Sequence, residues 1–231
     1  MKQIIAIGAL TEAGENQLLY NYLIDSCDKP RPRVCFITTA LGDNSDSLLL
    51  LYSAFARLSC EPSLLSLLFP ETADLHGKVM NQDIILVSGG NTKSMLALWK
   101  EWKLDAILHE AYDTGIIMSG WSAGAICWFD QGLTDSIPGS FTPLECLGWL
   151  PGSCTPHYDS DPERRPTYQA LIAERKMKPG IAIDDGAALH YKDSKLSKVV
   201  TSRLNAKAYA VGMERGTVMD TELIAHYLKK A

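Results

Sequence analysis

The sequence predicts an α/β fold: a doubly wound, mostly parallel sheet with helices on both of its faces. Two observations predict it. Several short segments in the first half of the chain are apolar throughout, as strands buried on both faces are. Longer segments with apolar residues three and four positions apart alternate with them, which indicates amphipathic helices. Alternating strands and helices imply right-handed βαβ crossovers. We expect a single domain that spans residues 1–231.

The first half supplies the regular elements of this fold. The apolar segments predicted as strands are residues 4–7, 34–38, 64–68, 84–87 and 116–118. The amphipathic segments predicted as helices are residues 15–27, 46–59, 92–100 and 104–113. Each strand lies close to a Gly, Pro or Asp residue, as the ends of short strands usually do.

The second half is less regular. Residues 130–156 carry Gly, Pro, Thr and Ser at close intervals, which predicts a long functional loop region with short strands. A helix is predicted near residues 163–176. Strand-like segments then return at residues 180–183, 198–201 and 208–211, as an extension of the sheet or an antiparallel flank. The last expected element is an amphipathic helix at residues 221–229, with Thr221 as its N-cap.

Charge and composition exclude several classes of partner. The net charge is −5 and the basic residues are dispersed, so we expect no nucleic-acid partner. No stretch of 18 apolar residues occurs and the first apolar segment is too short for a signal peptide, so we expect no membrane segment and a cytoplasmic location. The six cysteines have neither CxxC nor zinc-site spacing, which predicts reduced core thiols and no metal site.

The clearest chemical signal is a serine between two glycines. Gly120-Trp121-Ser122-Ala123-Gly124 follows a predicted strand and begins a helix, which is the setting of a nucleophile elbow. The Ala123 N–H would then donate to a developing oxyanion. The pattern also arises by chance, and the alternative is a tight turn in which Ser122 only caps a helix.

A second Gly-rich turn, Ser88-Gly89-Gly90-Asn91-Thr92, follows the strand at residues 84–87. Loops at the carboxyl ends of neighbouring parallel strands share one crevice, so Gly90 would supply a second oxyanion N–H. The alternative is a capped turn without catalytic function. The turn lacks the GK[ST] ending of a Walker loop.

His157, in Thr155-Pro156-His157-Tyr158-Asp159, is the predicted general base because it lies in a loop before a helix. His190 is the other candidate. His76, His109 and His226 lie within or beside helical patterns that have solvent-facing positions, which predicts surface residues rather than catalysts. A carboxylate must orient the imidazole, and Asp185, at the end of a predicted strand, competes for that role with Asp135.

Three motifs occur together in one order: Gly89-Gly90-Asn91-Thr92, Gly120-Trp121-Ser122-Ala123-Gly124-Ala125 and Pro156-His157-Tyr158, followed by an acidic residue before Gly186. In these features the chain resembles the serine peptidases that include α-aspartyl dipeptidase (dipeptidase E) and cyanophycinase. The resemblance implies a flavodoxin-like fold similar to class I glutamine amidotransferases. It also implies cleavage of peptide bonds after an aspartyl residue.

Carried over by position, the resemblance makes Ser122 the nucleophile, His157 the base, and Gly90 with Ala123 the oxyanion hole. For the third member of the triad, the resemblance implies either Asp135 or Asp185. The candidate substrate-binding residues are Asn91, Arg164 and Arg165, since an aspartate-binding pocket calls for an arginine. For the two arginines the alternative is an exposed helix N-terminus.

The sequence thus predicts a serine peptidase that cleaves small peptides through an acyl-enzyme, without metal or cofactor. One alternative is an esterase or amidase that acts on a small acyl substrate. The other is a catalytically silent small-molecule binding or regulatory protein.

Overall fold

The computed structural model describes residues 1–229, which form two β-sheets with helices packed against them. The strands of the first sheet, in spatial order, are β14 (Ala225–Tyr227), β11 (Lys195–Thr201), β10 (Ala187–Lys192), β1 (Gln3–Ile7), β5 (Ile117–Trp121), β4 (Ile84–Val87), β2 (Arg33–Ile37) and β3 (Glu61–Leu64). The strands of the second sheet, in spatial order, are β13 (Thr217–Glu222), β12 (Ala208–Glu214), β9 (Gly180–Ile183), β8 (Leu150–Thr155), β6 (Phe129–Ile137) and β7 (Ser140–Glu145). The α-helices are α1 (Ala13–Asp25), α2 (Ser45–Phe55), α3 (Leu75–Met80), α4 (Thr92–Glu101), α5 (Leu104–Thr114), α6 (Ala123–Ile126) and α7 (Arg164–Ala173).

The first sheet is doubly wound, as predicted. Strands β1, β5, β4, β2 and β3 pair in parallel, and β10 joins β1 in antiparallel orientation. Alternate residues of β1 enter different cores: Ile4 and Ala6 pack with α4 and α5, whereas Ile5 and Ile7 pack with α1 and α2. Because the two side-chain rows of a strand point to opposite faces, helices must cover both faces. The predicted α/β fold class is confirmed.

Side chains that cap helices fix where α2 and α3 begin. The Asn44 side chain accepts hydrogen bonds from the backbone N–H groups of Asp46 and Ser47 at the start of α2. The Asp74 side chain accepts one from Gly77 at the start of α3, a helix that the sequence analysis did not predict. These bonds satisfy N–H groups that have no partner within the helix.

The predicted helix at residues 221–229 is wrong. This part of the chain continues β13 to Glu222 and then forms β14, and the residues after Tyr227 that the structure describes are not helical. The backbone is paired at long range instead, since the Leu223 N–H donates to Ala208 O and the Leu228 N–H to Thr201 O. Local apolar spacing looked helical there, but sheet partners distant in sequence decide the conformation.

Two other segments differ from the expectation. The third strand is Glu61–Leu64 rather than residues 64–68, because the chain leaves the sheet after Leu64 and buries Leu65 and Leu67 as irregular core residues. Residues 130–156 are mostly strand rather than loop, and they contribute to β6, β7 and β8. Of the later segments, residues 198–201 belong to the first sheet, whereas β9 and β12 belong to the second.

The candidate site residues lie in two sets of loops, one from each sheet. The turns after β4 and β5 lie at the carboxyl edge of the parallel strands of the first sheet. Strands β8 and β9 of the second sheet are parallel neighbours, so the loops that follow them, which hold His157 and Asp185, are adjacent. The Tyr158 N–H donates to Ile183 O and ties these loops together. Within residues 1–229, no helix has the length and hydropathy needed to cross a bilayer.

Candidate active site

Ser122 lies at the apex of a sharp turn between β5 and α6. Its φ of 53° and ψ of −110° are unusual for a residue with a side chain, as expected of a strained elbow. The glycines on either side let the turn pack closely. A Cβ on Gly120 would lie 2.4 Å from Gly124 O, and a Cβ on Gly124 would lie 2.4 Å from Val87 O. The Ser122 N–H donates to Ile7 O, which fixes the turn above β1.

The Gly89-Gly90 turn lies against this serine. A Cβ on Gly89 would lie 3.2 Å from the Cβ of Ser122. Gly90 has a φ of +121°, and a Cβ there would lie 2.2 Å from Ala40 O, so the position requires glycine. Among residues 1–229, neither the Gly90 N–H nor the Ala123 N–H donates to a protein acceptor. Two backbone donors next to Ser122 are therefore free to bind an oxyanion.

Three side chains form a continuous hydrogen-bonded chain. Ser122 Oγ lies 2.9 Å from His157 Nε2. On the other side of the ring, His157 Nδ1 lies 2.9 Å from Asp185 Oδ1. An imidazole held in this way can take a proton from a serine hydroxyl at Nε2 while a carboxylate stabilises its Nδ1–H.

Asp185 is itself held by neighbouring polar groups. Its N–H donates to Asp159 Oδ1 at 2.9 Å, and Arg203 Nε donates to Asp185 O at 2.8 Å. The Arg203 guanidinium also pairs with Asp159, so Asp185, Asp159 and Arg203 are each in contact with the other two. Burial favours a higher pKa for the Asp185 carboxyl, but hydrogen bonds from His157 and Ser160 and the charge of Arg203 hold its pKa below the ordinary value. The carboxylate therefore stays ionised at neutral pH.

Asp135, the other predicted partner of His157, contacts Arg164 instead. Its side chain is 65% exposed, and its Oδ2 lies 3.3 Å from Arg164 Nη2. The structure therefore brings Asp185 to the imidazole and leaves Asp135 paired with Arg164.

Comparison with known proteins places this chain among peptidases. The model of peptidase family S51 matches residues 4–199, which is most of the chain and includes Ser122, His157 and Asp185. The chain belongs to peptidase family S51. The resemblance to the dipeptidase E family is thereby confirmed, and the class of the protein is peptidase.

Two relatives and one solved structure illustrate the similarity to peptidases. The uncharacterized peptidase YgaJ of Bacillus subtilis (strain 168) is 46% identical over 230 residues, 99% of this chain and all of the relative. Peptidase E of Shewanella amazonensis is 30% identical over 143 residues, 55% of this chain and 58% of the relative. The crystal structure of a peptidase from an acI-B1 Actinobacterium covers 97% of this chain and 95% of its own, with a TM-score of 0.69 and 20% identity. That last likeness shows the shared fold.

In this S51 peptidase, Asn91 is occupied by structural contacts. Its side-chain oxygen accepts from the Ser94 N–H and caps α4, while its Nδ2 donates to Ser136 O at 2.9 Å. The residue predicted to bind substrate thus anchors the Gly-rich turn to β6.

The two candidate arginines differ in exposure. Arg164 is 2% exposed, and its Nη1 donates to Leu133 O at 3.2 Å, so it is a core residue rather than part of an exposed helix end. Arg165 is 45% exposed and pairs with Asp220 at 2.9 Å. Its guanidinium lies over the ring of Tyr158, the residue after His157. Arg165 is therefore the arginine that solvent or a ligand can reach.

His190, the alternative base, belongs to a different network. Its Nδ1 lies 2.7 Å from Tyr22 Oη and its Nε2 lies 2.9 Å from Gln3 Oε1. Burial, together with the charges of Lys192 and Lys198, lowers its pKa to about 4. A neutral, buried imidazole with both nitrogens engaged serves the core of the S51 fold.

Asp159 and Arg203, which hold Asp185, are two residues of the site that were not predicted from the sequence. Asp159 lies only two positions after His157, so its proximity was a usable signal. Arg203 lies 44 positions from Asp159, and nothing in its local sequence marks it. Within residues 1–229, no group of three His, Cys, Asp or Glu side chains has the geometry of a metal site.

Proposed function

We propose that this S51 peptidase is a serine peptidase of small peptides that works through an acyl-enzyme. One observation carries the proposal: the hydrogen-bonded chain from Ser122 through His157 to Asp185. A serine, an imidazole and an ionised carboxylate in this order are the parts needed to activate a hydroxyl as a nucleophile.

The proposed reaction begins when His157 Nε2 takes the Ser122 Oγ proton as the oxygen attacks the carbonyl carbon of the peptide bond. The negative charge that develops on the carbonyl oxygen is bound by the N–H groups of Gly90 and Ala123. Each such donor contributes about 3 kcal/mol to lowering the barrier. His157 then gives its proton to the leaving amine, which departs. In the second half of the reaction, water gives a proton to His157 and attacks the acyl carbon. The bond between that carbon and Ser122 Oγ then breaks, and His157 returns the proton to Oγ.

Asp185 has an orienting role in this mechanism. It accepts the His157 Nδ1–H, which leaves Nε2 free to face the serine, and its charge stabilises the imidazolium that forms. The low pKa of its carboxyl suits this role, because the group must remain ionised while the imidazole is protonated.

We extend the proposal to Asp-X dipeptides as substrates, because the motifs of the chain resemble those of dipeptidase E. Among the arginines predicted to bind the aspartyl side chain, Arg165 supports this extension by its exposure and its place over Tyr158. Its existing ion pair with Asp220 means that a substrate carboxylate must share the guanidinium or displace that partner.

A panel of substrates tests both the serine mechanism and the preference for aspartyl dipeptides. Purified protein is assayed with Asp-Leu, Glu-Leu and Ala-Leu dipeptides and with short p-nitrophenyl esters, beside the Ser122→Ala variant. We expect hydrolysis of dipeptides, fastest for Asp-Leu, and none by the variant, whose circular dichroism stays native. Hydrolysis of esters alone would instead indicate an esterase. Equal rates for Asp-Leu and Ala-Leu would contradict the aspartyl preference, and retained activity in the variant would contradict the serine mechanism.

A further inference from the structure

An apolar cleft of about 590 Å³ opens beside the nucleophile turn, between helices α1 and α2. Trp121, the residue before Ser122, forms part of its wall. The Trp121 indole lies against the Gly-rich turn, since a Cβ on Gly89 would lie 2.9 Å from Trp121 Nε1 and 3.2 Å from the Cβ of Ser122. The same glycine thus contacts both the wall of the cleft and the serine.

A second wall of the cleft also contacts the Gly89-Gly90 turn. Leu41 lines the cleft, and a Cβ on Gly90 would lie 3.0 Å from the Leu41 backbone nitrogen. The preceding residue, Ala40, accepts a hydrogen bond from the Asn91 N–H at 2.8 Å. Two residues that line the cleft, Trp121 and Leu41, therefore contact the Gly89-Gly90 turn beside Ser122.

The chemistry of the cleft favours an apolar occupant. Its walls are formed mainly by the side chains of Leu10, Tyr20, Leu41, Leu50, Leu51 and Trp121. Among the described residues that line it, Arg57 is the one charged side chain, and none is acidic. A volume and lining of this kind are typical of sites for small ligands. Leu50 is 72% exposed, so its apolar surface is open to an occupant of the cleft.

We propose that this cleft is the subsite for an apolar side chain of the peptide substrate. The inference rests on the proposed function, because it takes Ser122 as the nucleophile. It names leucine-like side chains as the preferred occupants at one of the two positions that flank the cleaved bond. Burial of such a side chain against Leu50 and Trp121 removes apolar surface of both molecules from water.

Two neighbouring leucines provide a matched test. Leu49 and Leu50 are 67% and 72% exposed on the same helix, but only Leu50 is among the described residues that line the cleft. The variants Leu50→Glu and Leu49→Glu therefore carry the same change in charge and volume at positions the fold tolerates. Kinetics are measured with the pair Asp-Leu and Asp-Ala for the leaving residue and the pair Leu-Ala and Ala-Ala for the acyl residue.

We expect the wild type to prefer the leucine member of one pair by about tenfold in kcat/KM, mostly through KM. Leu50→Glu should abolish that preference, and Leu49→Glu should keep it. The inference is overturned if leucine and alanine peptides react equally in both pairs, or if the two variants behave alike. It is also overturned if Leu50→Glu changes only the sedimentation coefficient, since the cleft would then be an interface with a second copy.

A binding measurement separates this inference from the proposed function. Calorimetric titration of the Ser122→Ala variant with Asp-Leu and Asp-Ala, and with Leu-Ala and Ala-Ala, requires no turnover. A tenfold tighter binding of the leucine member that Leu50→Glu removes would support the subsite even if no peptide were hydrolysed. Hydrolysis without any dependence on residue 50 would refute the subsite and leave the serine mechanism standing.

Discussion

His157 Nδ1 lies 2.9 Å from Asp185 Oδ1, and this contact decides between the two aspartates that the sequence offers as partners of the imidazole. The two residues follow β8 and β9, parallel neighbours in the second sheet, whereas Ser122 follows β5 in the first. The proposed triad is therefore assembled across two sheets. Its geometry depends on how the sheets pack as well as on local loops.

Replacing Asp185 by asparagine tests the orienting role. An asparagine amide has no charge to stabilise the imidazolium, and its NH2 group can donate to Nδ1 and hold the wrong tautomer. We therefore expect kcat to fall by about 10⁴-fold with little change in the fold. Asp135→Asn is the matched control. It removes a carboxylate that contacts Arg164 rather than His157, so kcat should stay within about threefold of wild type. Equal effects at the two positions would contradict the assignment.

Arg203 is expected to act through Asp185 as a positioning residue. Arg203→Gln removes the bond to Asp185 O and the pair with Asp159, so we expect kcat to fall by about 10- to 100-fold at nearly constant KM. The acid limb of the pH profile should move to higher pH, because the charge of Arg203 helps to keep the pKa of Asp185 low. Asp159→Asn should lower kcat similarly, and the kcat of the double variant should be little lower than that of either single variant.

Lys207→Gln is the control for this prediction. It removes a positive charge that pairs with Glu222 at the surface, four residues after Arg203. The pH profile and kcat should be unchanged. A loss of thermal stability in Arg203→Gln without any effect on kcat or the pH profile would show that Arg203 serves the fold alone.

Gly90→Ala tests the oxyanion donor. With φ at +121° and Ala40 O at 2.2 Å from the added Cβ, the turn must move, so we expect a loss of unfolding free energy of more than about 2 kcal/mol and a fall in kcat of about 100-fold. Gly139→Ala is the control, since φ is +76° and no atom lies within 4 Å of its Cβ. Gly139→Ala should lose about 1 kcal/mol of unfolding free energy and keep a normal kcat. Urea unfolding and steady-state kinetics measure both, and normal kcat in Gly90→Ala would exclude the Gly90 donor.

His190 is expected to make the fold sensitive to acid. Its pKa is near 4 in the folded chain, against an ordinary value of 6.5, so between these values the unfolded state binds more protons. Stability therefore falls as the pH decreases through this window, by about 2 kcal/mol from pH 7 to pH 4.5. Asp184 acts in the opposite direction, because burial and the charge of Asp159 raise its pKa to about 6.

The comparison with His190→Gln isolates the histidine contribution. Urea unfolding of wild type and variant at pH 7 and pH 4.5 gives the difference in pH dependence, from which the Asp184 contribution cancels. We expect the variant to lose about 2 kcal/mol less than wild type over this range. Identical pH dependence in the two proteins would contradict the buried, neutral state of His190.

Short-range patterns in the sequence predict part of the candidate site. Ser122 and the Gly89-Gly90 turn each follow a predicted strand, so strand topology placed them in one crevice. His157 was predicted from its place in a loop before a helix. The choice between Asp135 and Asp185 depended on which loop reaches the imidazole, a distance that the sequence does not contain. Arg203 was missed for the same reason.

The errors in the fold have a related cause. Residues 221–229 have the apolar spacing of a helix, but β12 and β11 pair with them from other parts of the chain. The strands at residues 130–156 were obscured because their Gly, Pro and Thr residues are typical of loops. Long-range strand pairing decided both segments, within the second sheet for residues 130–156 and within both sheets for residues 221–229.

The most direct test of the account is covalent labelling of Ser122. Wild-type protein is treated with a fluorophosphonate probe, digested and mapped by mass spectrometry, beside Ser122→Ala and His157→Ala. An activated serine reacts, whereas an ordinary hydroxyl does not. We predict a single adduct on Ser122 in the wild type, none in Ser122→Ala, and a rate at least about 100-fold lower in His157→Ala. No adduct in the wild type, an adduct on another residue, or equally fast labelling in His157→Ala would contradict the proposal that His157 activates Ser122.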